Sequence, residues 1–473
     1  MGKYKTLAQN TGFVFIGTIG SKLINLVMLP LYTHWLPPSE LGAVDTMNTY
    51  AMFIIGFVCL CIPDSIFIFP RNVDEEKKCE YFTSGIVFSC LMLALSSIVF
   101  CSISKIMLYY HIKNVFSIYV WLVYGLMVSL YFQNYFQSFT RSLDKMFHYS
   151  MAGIILTLAI ALFSILLIPI YGMYGYVYAL ISAHVIASMY SLLSTKSYRY
   201  LKICNSSRSS VKEMLSYSAP LLPNSIMWWL VDGINRPVME SYLGLSVIGI
   251  YTVSQKISGL LNSMLSILTL SWGNSALDEY GKSGFNAFYN TYLKMLATVL
   301  VMGAILICAF SRFLVSLLAA SEYYEAYKYV PVLMIGVVFS GLSGTVGGIF
   351  LAIKKSKFFF YSSVYAGISS VLSLMVLTPL YGLMGTVCSV AISFFVMLVA
   401  RVIYSWKYSR ISNIPTYVFL FLLYIVTVIV ELNVDDTYRF IIYFIFVAII
   451  VFMFRHELNQ IYDRVSLKIT RKN

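Results

Sequence analysis

Long apolar runs separated by short polar loops make up almost the whole chain. A helix that spans a membrane needs about 20 mostly apolar residues, and the pattern predicts about 14 such helices. The predicted spans lie near residues 11–35, 43–68, 82–104, 116–138, 149–169, 174–194, 219–242, 248–273, 288–311, 329–352, 359–379, 384–405, 415–432 and 438–455. No loop is long enough for a domain, since the longest run only from 195 to 215 and from 312 to 328.

The second half of the chain repeats features of the first half. A shift of 207 residues aligns the following pairs: Leu23 with Leu230, Pro30 with Pro237, Leu36 with Leu243, Ser39 with Ser246 and Gly42 with Gly249. A shift of 210 residues aligns PIYGMYG at 169–175 with PLYGLMG at 379–385. Two matches in the same order and at nearly the same offset indicate an internal duplication.

The duplication and the number of spans together predict an all-α polytopic membrane protein. Each copy receives six helices, and because six is even, both copies enter the membrane from the same side as parallel bundles. The predicted bundles cover residues 1–200 and 201–410, and residues 411–473 add two further helices and a cytoplasmic tail. Apolar residues recur at helical spacing among the charges of that tail, which predicts an amphipathic helix on the inner leaflet.

Composition and charge agree with this interpretation. The chain is 59% hydrophobic and only 11% charged, whereas about a quarter of the residues in a soluble domain are charged. The net charge of +13 lies mostly in short loops, which argues against a nucleic-acid partner. Most of the 33 lysines and arginines, Arg401 among them, fall on one side, and the other side holds Lys105, Lys113, Arg312, Lys328 and Arg439. The positive-inside rule then places both termini in the cytoplasm.

The residue types that commonly support catalysis form no recognisable site in the sequence. The five histidines and eight cysteines show no metal-ligand spacing and no CxxC pair, so we expect no metal, no other cofactor and no disulfide framework. No GxxxxGK[ST] segment is present, so we do not expect ATP hydrolysis. A membrane-embedded polymerase would need a long charged outer loop, and the predicted outer loops are short. The sequence therefore predicts that the protein is not an enzyme.

Ionisable residues inside the predicted spans are the strongest functional signal. Such residues are costly in hydrocarbon and usually face a protein interior or a watery cavity. The residues at membrane depth are Lys22, Asp232, Arg236, Lys256 and Lys294. With their polar neighbours, they give a set of predicted substrate-binding residues: Lys22, Asn25, Asn235, Arg236 and Lys256. Four cations against one carboxylate predict a cavity between the two bundles that binds an anion.

Several of these residues have an alternative interpretation. Asp232 is a candidate carrier of a coupling ion, but it can also neutralise Arg236 four residues later. Lys294 is a candidate contact for an inner-leaflet phosphate, but it can also extend to the headgroups without a specific ligand. Asp45 and Asp64 lie near span ends, and we interpret them as interfacial.

Prolines occupy equivalent places in the opening helix of each copy. Pro30 and Pro237 each remove a helix hydrogen bond and predict a bend. The two bends are candidate gating hinges, and the alternative is that they serve only the packing of the helices.

Three segments resemble those of a known superfamily. They are the opening NTGFVFIGTIGSKLINLVMLPLYTHWLPPSELGAVD, the P-x-YG-x-x-G loop of both halves, and YLGLSVIGIYTVSQKI at 242–257. Together with the two six-helix halves, these segments resemble the multidrug/oligosaccharidyl-lipid/polysaccharide exporter superfamily. Within that superfamily they are most similar to the Wzx-type flippases of polysaccharide repeat units.

The resemblance implies a flippase in the bacterial cytoplasmic (inner) membrane. Such a protein moves an undecaprenyl-diphosphate-linked oligosaccharide of O-antigen or capsule to the outer leaflet by alternating access, driven by an ion gradient. The implied cationic lumen matches Lys22, Arg236 and Lys256. The implied partners are the lipid-linked oligosaccharide, membrane lipids, a polysaccharide polymerase and a chain-length regulator. A multidrug antiporter, a peptidoglycan lipid-precursor flippase and a membrane-embedded polymerase stay open as alternatives.

Overall fold

The computed structural model describes residues 20–21, 24–202, 205–434 and 436–453. These residues form α-helices joined by short loops and 3₁₀ turns, and none of them lies in a β-strand. A helix pairs its backbone N–H and C=O groups within its own segment, as a chain in hydrocarbon requires. The predicted all-α membrane fold is therefore confirmed. Lys22 and the predicted amphipathic tail lie outside the described residues.

The helices are numbered here in chain order. The earlier ones are α1 Leu29–Trp35, α2 Pro38–Cys59, α3 Ile62–Ile68, α4 Glu75–Tyr109, α5 Val115–Ile118, α6 Val120–Ser142, α7 Met146–Ser194, α8 Arg208–Ser218 and α9 Leu222–Asp232. The later ones are α10 Asn235–Tyr242, α11 Leu245–Glu279, α12 Phe285–Ala309, α13 Ser311–Leu318, α14 Val330–Ala352, α15 Lys357–Ser405, α16 Ile414–Asn433 and α17 Asp436–Met453. Shorter 3₁₀ turns are formed by Ser197–Tyr200, Ala219–Leu221 and Ser321–Lys328.

Packing divides the chain into two compact units. The first unit contains the described residues up to Trp229, together with Gly233–Thr252 and Leu318–Ala320. The second unit contains Leu230–Asp232, Val253–Leu317 and the described residues from Ser321 onward. The bundle boundaries at residues 200 and 410 were predicted from the duplication. The division by packing does not test them, so they stay a prediction.

Seven of the described helices are long and apolar enough to cross a membrane: α2, α4, α7, α12, α14, α15 and α16. Both α7 and α15 contain 49 residues. At about 1.5 Å per residue such a helix would be about 74 Å long, whereas the hydrocarbon core is about 30 Å thick. Each must therefore supply two crossings, as the predicted span pairs require. The other predicted spans fall on α1, α6, α9 with α10, α11 and α17.

The same glycine turn divides both long helices. Gly172 in α7 has φ 55° and ψ −133°, and Gly382 in α15 has φ 58° and ψ −136°. This region of backbone space suits glycine and strains other residues. Three residues later, a Cβ atom on Gly175 or Gly385 would lie 2.2 Å or 1.9 Å from a carbonyl oxygen of the preceding arm. Two turns whose φ and ψ angles agree within 3°, and which lie 210 residues apart in the sequence, agree with the predicted duplication.

We expect Gly172→Ala to destabilise the first hairpin, because a side chain in that conformation carries strain of about 1–3 kcal/mol. The matched control is Gly153→Ala in the same helix, where a Cβ atom would meet nothing within 4 Å. Thermal unfolding of the purified protein measures the difference. The Gly172 variant should melt at a lower temperature than the control, and equal melting temperatures would contradict a specific requirement for glycine at the turn.

Helix breaks accompany the two equivalent prolines. Pro30 lies in the first turn of α1, directly after a turn at Met28. Pro237 lies in the first turn of α10, which is separated from α9 only by Gly233 and Ile234. A proline has no backbone N–H to donate, so a helix tolerates it best in its first turn. Both opening helices are thus interrupted near their prolines, and the role of these prolines as gating hinges stays a prediction.

Aromatic residues form the core of each unit. In the second unit, the indole N–H of Trp272 donates to the Thr345 carbonyl at 2.7 Å, and its ring stacks on Tyr292 with centroids 4.5 Å apart. In the first unit, the buried hydroxyl of Tyr135 donates to the Phe82 carbonyl at 2.6 Å. Hydrogen bonds to backbone carbonyls thus satisfy the polar atoms of these buried rings.

Two arginines that the sequence analysis assigned to loops are buried in helices of the second unit. Arg439 in α17 is 2% exposed and donates to Oε1 of Glu431 at 3.0 Å. Arg312 donates to the same oxygen at 3.2 Å, and the Tyr443 hydroxyl donates to the other carboxylate oxygen at 2.6 Å. This carboxylate ties α16 and α17 to α13. Arg401 is likewise 2% exposed inside α15. Because Arg439 and Arg401 are buried in helices and do not lie in loops, they are not evidence for membrane orientation.

Candidate functional site

Helices α2 and α11 cross in the first unit. They begin at Pro38 and Leu245, which the shift of 207 residues makes equivalent. A Cβ atom on Gly42 would lie 2.1 Å from the Leu245 carbonyl oxygen. A Cβ atom on Gly249 would lie 2.1 Å from the Pro38 carbonyl oxygen. The absence of side chains at the two glycines lets the backbones touch, as small residues do where membrane helices pack closely.

The contact is reciprocal, because each glycine packs on the first residue of the other helix. We call this contact and the polar groups beside it the crossing site, defined by Gly42, Asp45, Arg236, Glu240 and Gly249. Backbone atoms meet backbone atoms at its centre, so neither helix can relieve a clash there by moving a flexible side chain.

An ion pair lies one helical turn after Gly42. The Nε of Arg236 donates to Oδ2 of Asp45 at 2.9 Å, and its guanidinium carbon lies 5.0 Å from the ring centroid of Tyr251. The hydroxyl of Tyr251 accepts a bond from the Asn235 amide at 3.1 Å. The Arg236 side chain is 9% exposed and that of Asp45 is 22% exposed, so solvent ions screen the pair weakly. The pair therefore holds α10 firmly to α2.

A second carboxylate of the crossing site binds a loop. Glu240 of α10 accepts a bond from the Tyr50 hydroxyl at 3.0 Å and another from the Val115 N–H at 2.5 Å. Its equivalent in the first copy is Thr33, whose hydroxyl oxygen accepts a bond from the Ala320 N–H at 3.1 Å. Through Glu240, the opening helix of the second copy thus binds the loop between the third and fourth predicted spans of the first copy. Through Thr33, the opening helix of the first copy binds the equivalent loop of the second copy.

Glu40 attaches the glycine turn of α7 to the same region. Its Oε2 accepts a bond from the Met173 N–H at 3.0 Å. A Cβ atom on Gly172 would lie 3.2 Å from that oxygen. Glu40 lies in the first turn of α2, two residues before Gly42. The start of α2 therefore carries both Glu40, which binds the glycine turn of α7, and Gly42 of the crossing site.

The structure gives Arg236 and Asp232 different partners from the one that the sequence analysis considered. Arg236 is paired with Asp45, as described above. Asp232 is exposed and accepts a bond from the Gln255 amide at 3.3 Å. The charge of Arg236 is therefore compensated in this conformation. The role of Asp232 in ion coupling stays a prediction.

The other predicted site residues are spread over both units. Asn25 is exposed in the first unit, and Lys256 and Lys294 are partly buried in the second. Asn235 is fully buried beside Tyr251. The assignment of these residues, and of Lys22, to a substrate cavity stays a prediction.

Sequence reasoning missed Glu240 and took Asp45 for an interfacial residue. A usable signal was present in both cases, because each residue lies inside a predicted apolar span, where an uncompensated carboxylate is costly. Asp45 was also an available counter-charge for Arg236. No group of three or more histidine, cysteine, aspartate or glutamate side chains in the described part of the chain is arranged to hold a metal ion.

Solved structures with a similar fold include a flippase and multidrug transporters. The lipid II flippase MurJ in its inward closed conformation superposes with a TM-score of 0.71 at 13% identity, covering 95% of this chain and 100% of that chain. A multidrug resistance MATE family transporter of the MOP superfamily, in its inward-facing conformation, gives 0.66 at 15% identity, covering 82% and 94%. An outward-facing MATE family transporter gives 0.56 at 16% identity, covering 85% and 95%. The chain therefore has the fold of these transporters, and its seven helices of spanning length and apolarity in the described residues agree with a multi-pass membrane protein.

The sequence itself identifies the family. The model of the polysaccharide biosynthesis protein family matches residues 7–272, which is more than half of the chain, so the protein belongs to that family. No curated protein matches the chain in sequence. The chain thus belongs to the polysaccharide biosynthesis protein family and shares its fold with solved membrane transporters.

Proposed function

We propose that the protein is a flippase for an undecaprenyl-diphosphate-linked oligosaccharide repeat unit of O-antigen or capsule. It would carry this unit from the inner to the outer leaflet of the bacterial cytoplasmic membrane. Family membership supports a role in polysaccharide biosynthesis, and the exporter fold supports transport rather than synthesis. The observation that carries the mechanism is the reciprocal glycine contact at the crossing site. A contact between equivalent helices of two repeats is a suitable gate for alternating access.

The proposed orientation places the crossing site at the outer end of the first unit. Basic loops mark the cytoplasmic side of a membrane protein. In the first unit, Arg71 precedes α4 and Lys77 lies in the first turn of α4, whereas Val115 and the crossing site lie beyond its other end. In this orientation the conformation is closed toward the outside, and release of the substrate requires the crossing site to separate.

The charges near the crossing site suggest how its separation is controlled. A diphosphate needs cationic groups to replace its water when it enters a membrane protein, and Lys22 and Lys256 are proposed to supply them. Arg236 is held by Asp45 in this conformation and would become available once α10 leaves α2. Protonation of Asp45 would remove the charge that holds Arg236, so Asp45 joins Asp232 as a candidate for coupling to an ion gradient.

Deletion of the gene tests the proposed function directly. We expect a completed repeat unit on undecaprenyl diphosphate to accumulate while the surface polysaccharide disappears, since the unit cannot leave the inner leaflet. Mass spectrometry of extracted lipid-linked saccharides measures the accumulation and identifies the glycan. Expression of the wild-type chain should reverse both effects, and a Lys22→Ala variant present at normal membrane levels should not.

Other outcomes would contradict the proposal. Loss of long polymer with single units still reaching the surface would indicate a polymerase. A changed drug susceptibility with unchanged polysaccharide would indicate a multidrug antiporter.

A lipid II flippase is the second candidate function, because MurJ superposes over its whole length. The two candidates differ in the saccharide that accumulates. Depletion of the protein should enrich the peptidoglycan precursor if lipid II is the substrate, and expression of the chain should rescue cells that lack their own lipid II flippase. Failure of that rescue, together with accumulation of a polysaccharide repeat unit, would exclude this candidate.

A further inference from the structure

A polar cavity of about 550 Å³ lies in the first unit, at the opposite end of α4 from the crossing site. It is bounded by the start of α4, the residue before α7, and the segment that follows α7. Four of its lining residues are cationic: Lys145, Lys196, Arg199 and Lys202. Its two carboxylates, Glu75 and Glu76, leave an excess of positive charge.

The segment that carries three of these cations is anchored to α4 through backbone atoms. The hydroxyl of Thr83 in α4 donates to the Tyr200 carbonyl at 2.9 Å and accepts a bond from the Lys202 N–H at 3.0 Å. The Ser84 hydroxyl accepts a bond from the Ser207 N–H at 2.8 Å. The linker between the two copies is therefore held against α4, and its anchoring bonds use backbone atoms rather than its basic side chains.

Within the described residues, none of the four cations of this cavity forms an ion pair. Glu75, which lines the same cavity, forms its ion pair with Lys78 at 2.7 Å. The amine of Lys145 donates to the Thr195 carbonyl at 2.8 Å. Burial, and after it the charge of Lys196, lowers the pKa of Lys145. Like charges that face each other in a cavity leave a place for an anion.

The position of the cavity selects the kind of anion. Lys145 directly precedes α7 and Thr195 directly follows it, so the cavity lies where membrane-spanning segments end and lipid headgroups begin. Basic pockets at the cytoplasmic ends of membrane helices bind the phosphate headgroups of anionic lipids. We propose that Lys145, Lys196, Arg199 and Lys202 form a binding site for the phosphate headgroup of an anionic glycerophospholipid in the inner leaflet.

Lipid binding to the purified full-length protein tests this site. The probes are phosphatidylglycerol, cardiolipin, polyprenyl diphosphate and, as a neutral reference, phosphatidylcholine, each titrated and followed by native mass spectrometry. The triple variant Lys196→Gln/Arg199→Gln/Lys202→Gln should bind cardiolipin about tenfold or more weakly, because each basic group near a headgroup contributes to the attraction. The anchoring bond of Lys202 uses its backbone N–H, so the variant keeps that bond.

The matched control removes the same charge elsewhere. The variant Lys354→Gln/Lys355→Gln/Lys357→Gln alters a basic loop of the second unit and should retain wild-type affinity for cardiolipin. The single variant Lys202→Gln gives a second readout and should show a smaller loss of cardiolipin affinity than the triple variant.

Equal losses of cardiolipin affinity in the triple variant and its control would overturn the proposal. Binding of polyprenyl diphosphate alone would also overturn it and would assign the cavity to the carrier lipid. Neither readout depends on flipping, so the proposed function and this site can fail separately.

Discussion

Gly42→Ala is expected to reduce export about 10- to 100-fold while the protein still folds and reaches the membrane. The new Cβ atom would lie 2.1 Å from the Leu245 carbonyl oxygen, and only a shift of one backbone can remove that clash. Overpacking of this kind costs about 1–3 kcal/mol. A cost of about 1.4 kcal/mol changes an equilibrium tenfold, so the population of the closed crossing site would fall relative to the separated one.

Two measurements check this expectation. The first is surface polysaccharide in a deletion strain that expresses the variant. The second is labelling from outside by an impermeant maleimide of a Thr46→Cys residue, in a chain whose native cysteines have been replaced. Thr46 is fully buried beside Gly42, so its labelling reports separation of the crossing site. Labelling should rise in the Gly42→Ala background.

Two further variants make the test specific. Gly249→Ala creates the reciprocal clash with the Pro38 carbonyl and should reproduce both effects. Gly259→Ala lies in the same helix as Gly249, but a Cβ atom there would meet nothing within 4 Å, so it should behave like the wild type. Normal export and low labelling in both the Gly42 and Gly249 variants would remove the crossing site from the mechanism.

The second large effect is expected at the ion pair. Asp45→Ala or Arg236→Ala alone should destabilise this conformation by about 3–5 kcal/mol, because each removes one member of a largely buried charge pair. The double variant Asp45→Ala/Arg236→Ala should be more stable than the sum of the single effects predicts. Unfolding of all four proteins under the same conditions gives the interaction energy, and Thr46→Cys labelling shows whether the loss acts on the crossing site.

An exposed ion pair in the same unit is the control for this cycle. Arg71 and Asp144 lie 2.9 Å apart, with side chains 37% and 78% exposed. A solvent-exposed pair contributes about 0–1 kcal/mol, so Arg71→Ala should have a small effect. Two outcomes would show that the buried pair does not hold the two helices together. One is that the destabilisations by Asp45→Ala and Arg236→Ala simply add in the double variant. The other is that Arg71→Ala destabilises the protein as much as they do.

The local features of this fold were predictable from the sequence, because each has a local cause. Apolar runs set the spans, and the YG-x-x-G segments required glycine where α7 and α15 reverse direction. Pro30 and Pro237 marked the interrupted helices for the same reason, since a missing N–H affects only neighbouring residues. The offset of 207 residues also pairs Gly42 with Gly249, the two glycines that meet at the crossing site.

The partners of the charged residues were not predictable in the same way. Asp45 and Arg236 are 191 residues apart, and a contact at that distance in sequence leaves no periodic signal in a single chain. Helical spacing pointed instead to Asp232, which lies in the same predicted span as Arg236 but in a different helix of the structure. The linker after α7 was also unpredictable, because its anchoring relies on backbone groups of Lys202 and Ser207 rather than on a recognisable motif.

The reciprocal glycine contact has the form of an isologous dimer interface. In such an interface, a residue of one partner meets a second residue of the other, and the same pairing occurs in reverse. Pro38, Gly42, Leu245 and Gly249 satisfy this pattern within one polypeptide, so a half-length chain could make the same contact with a second copy of itself. The ion pair breaks the symmetry, because the equivalents of Asp45 and Arg236 are Thr252 and Leu29. Joining two halves in one chain thus allows a helix contact whose charges differ on its two sides, which a symmetric dimer cannot have.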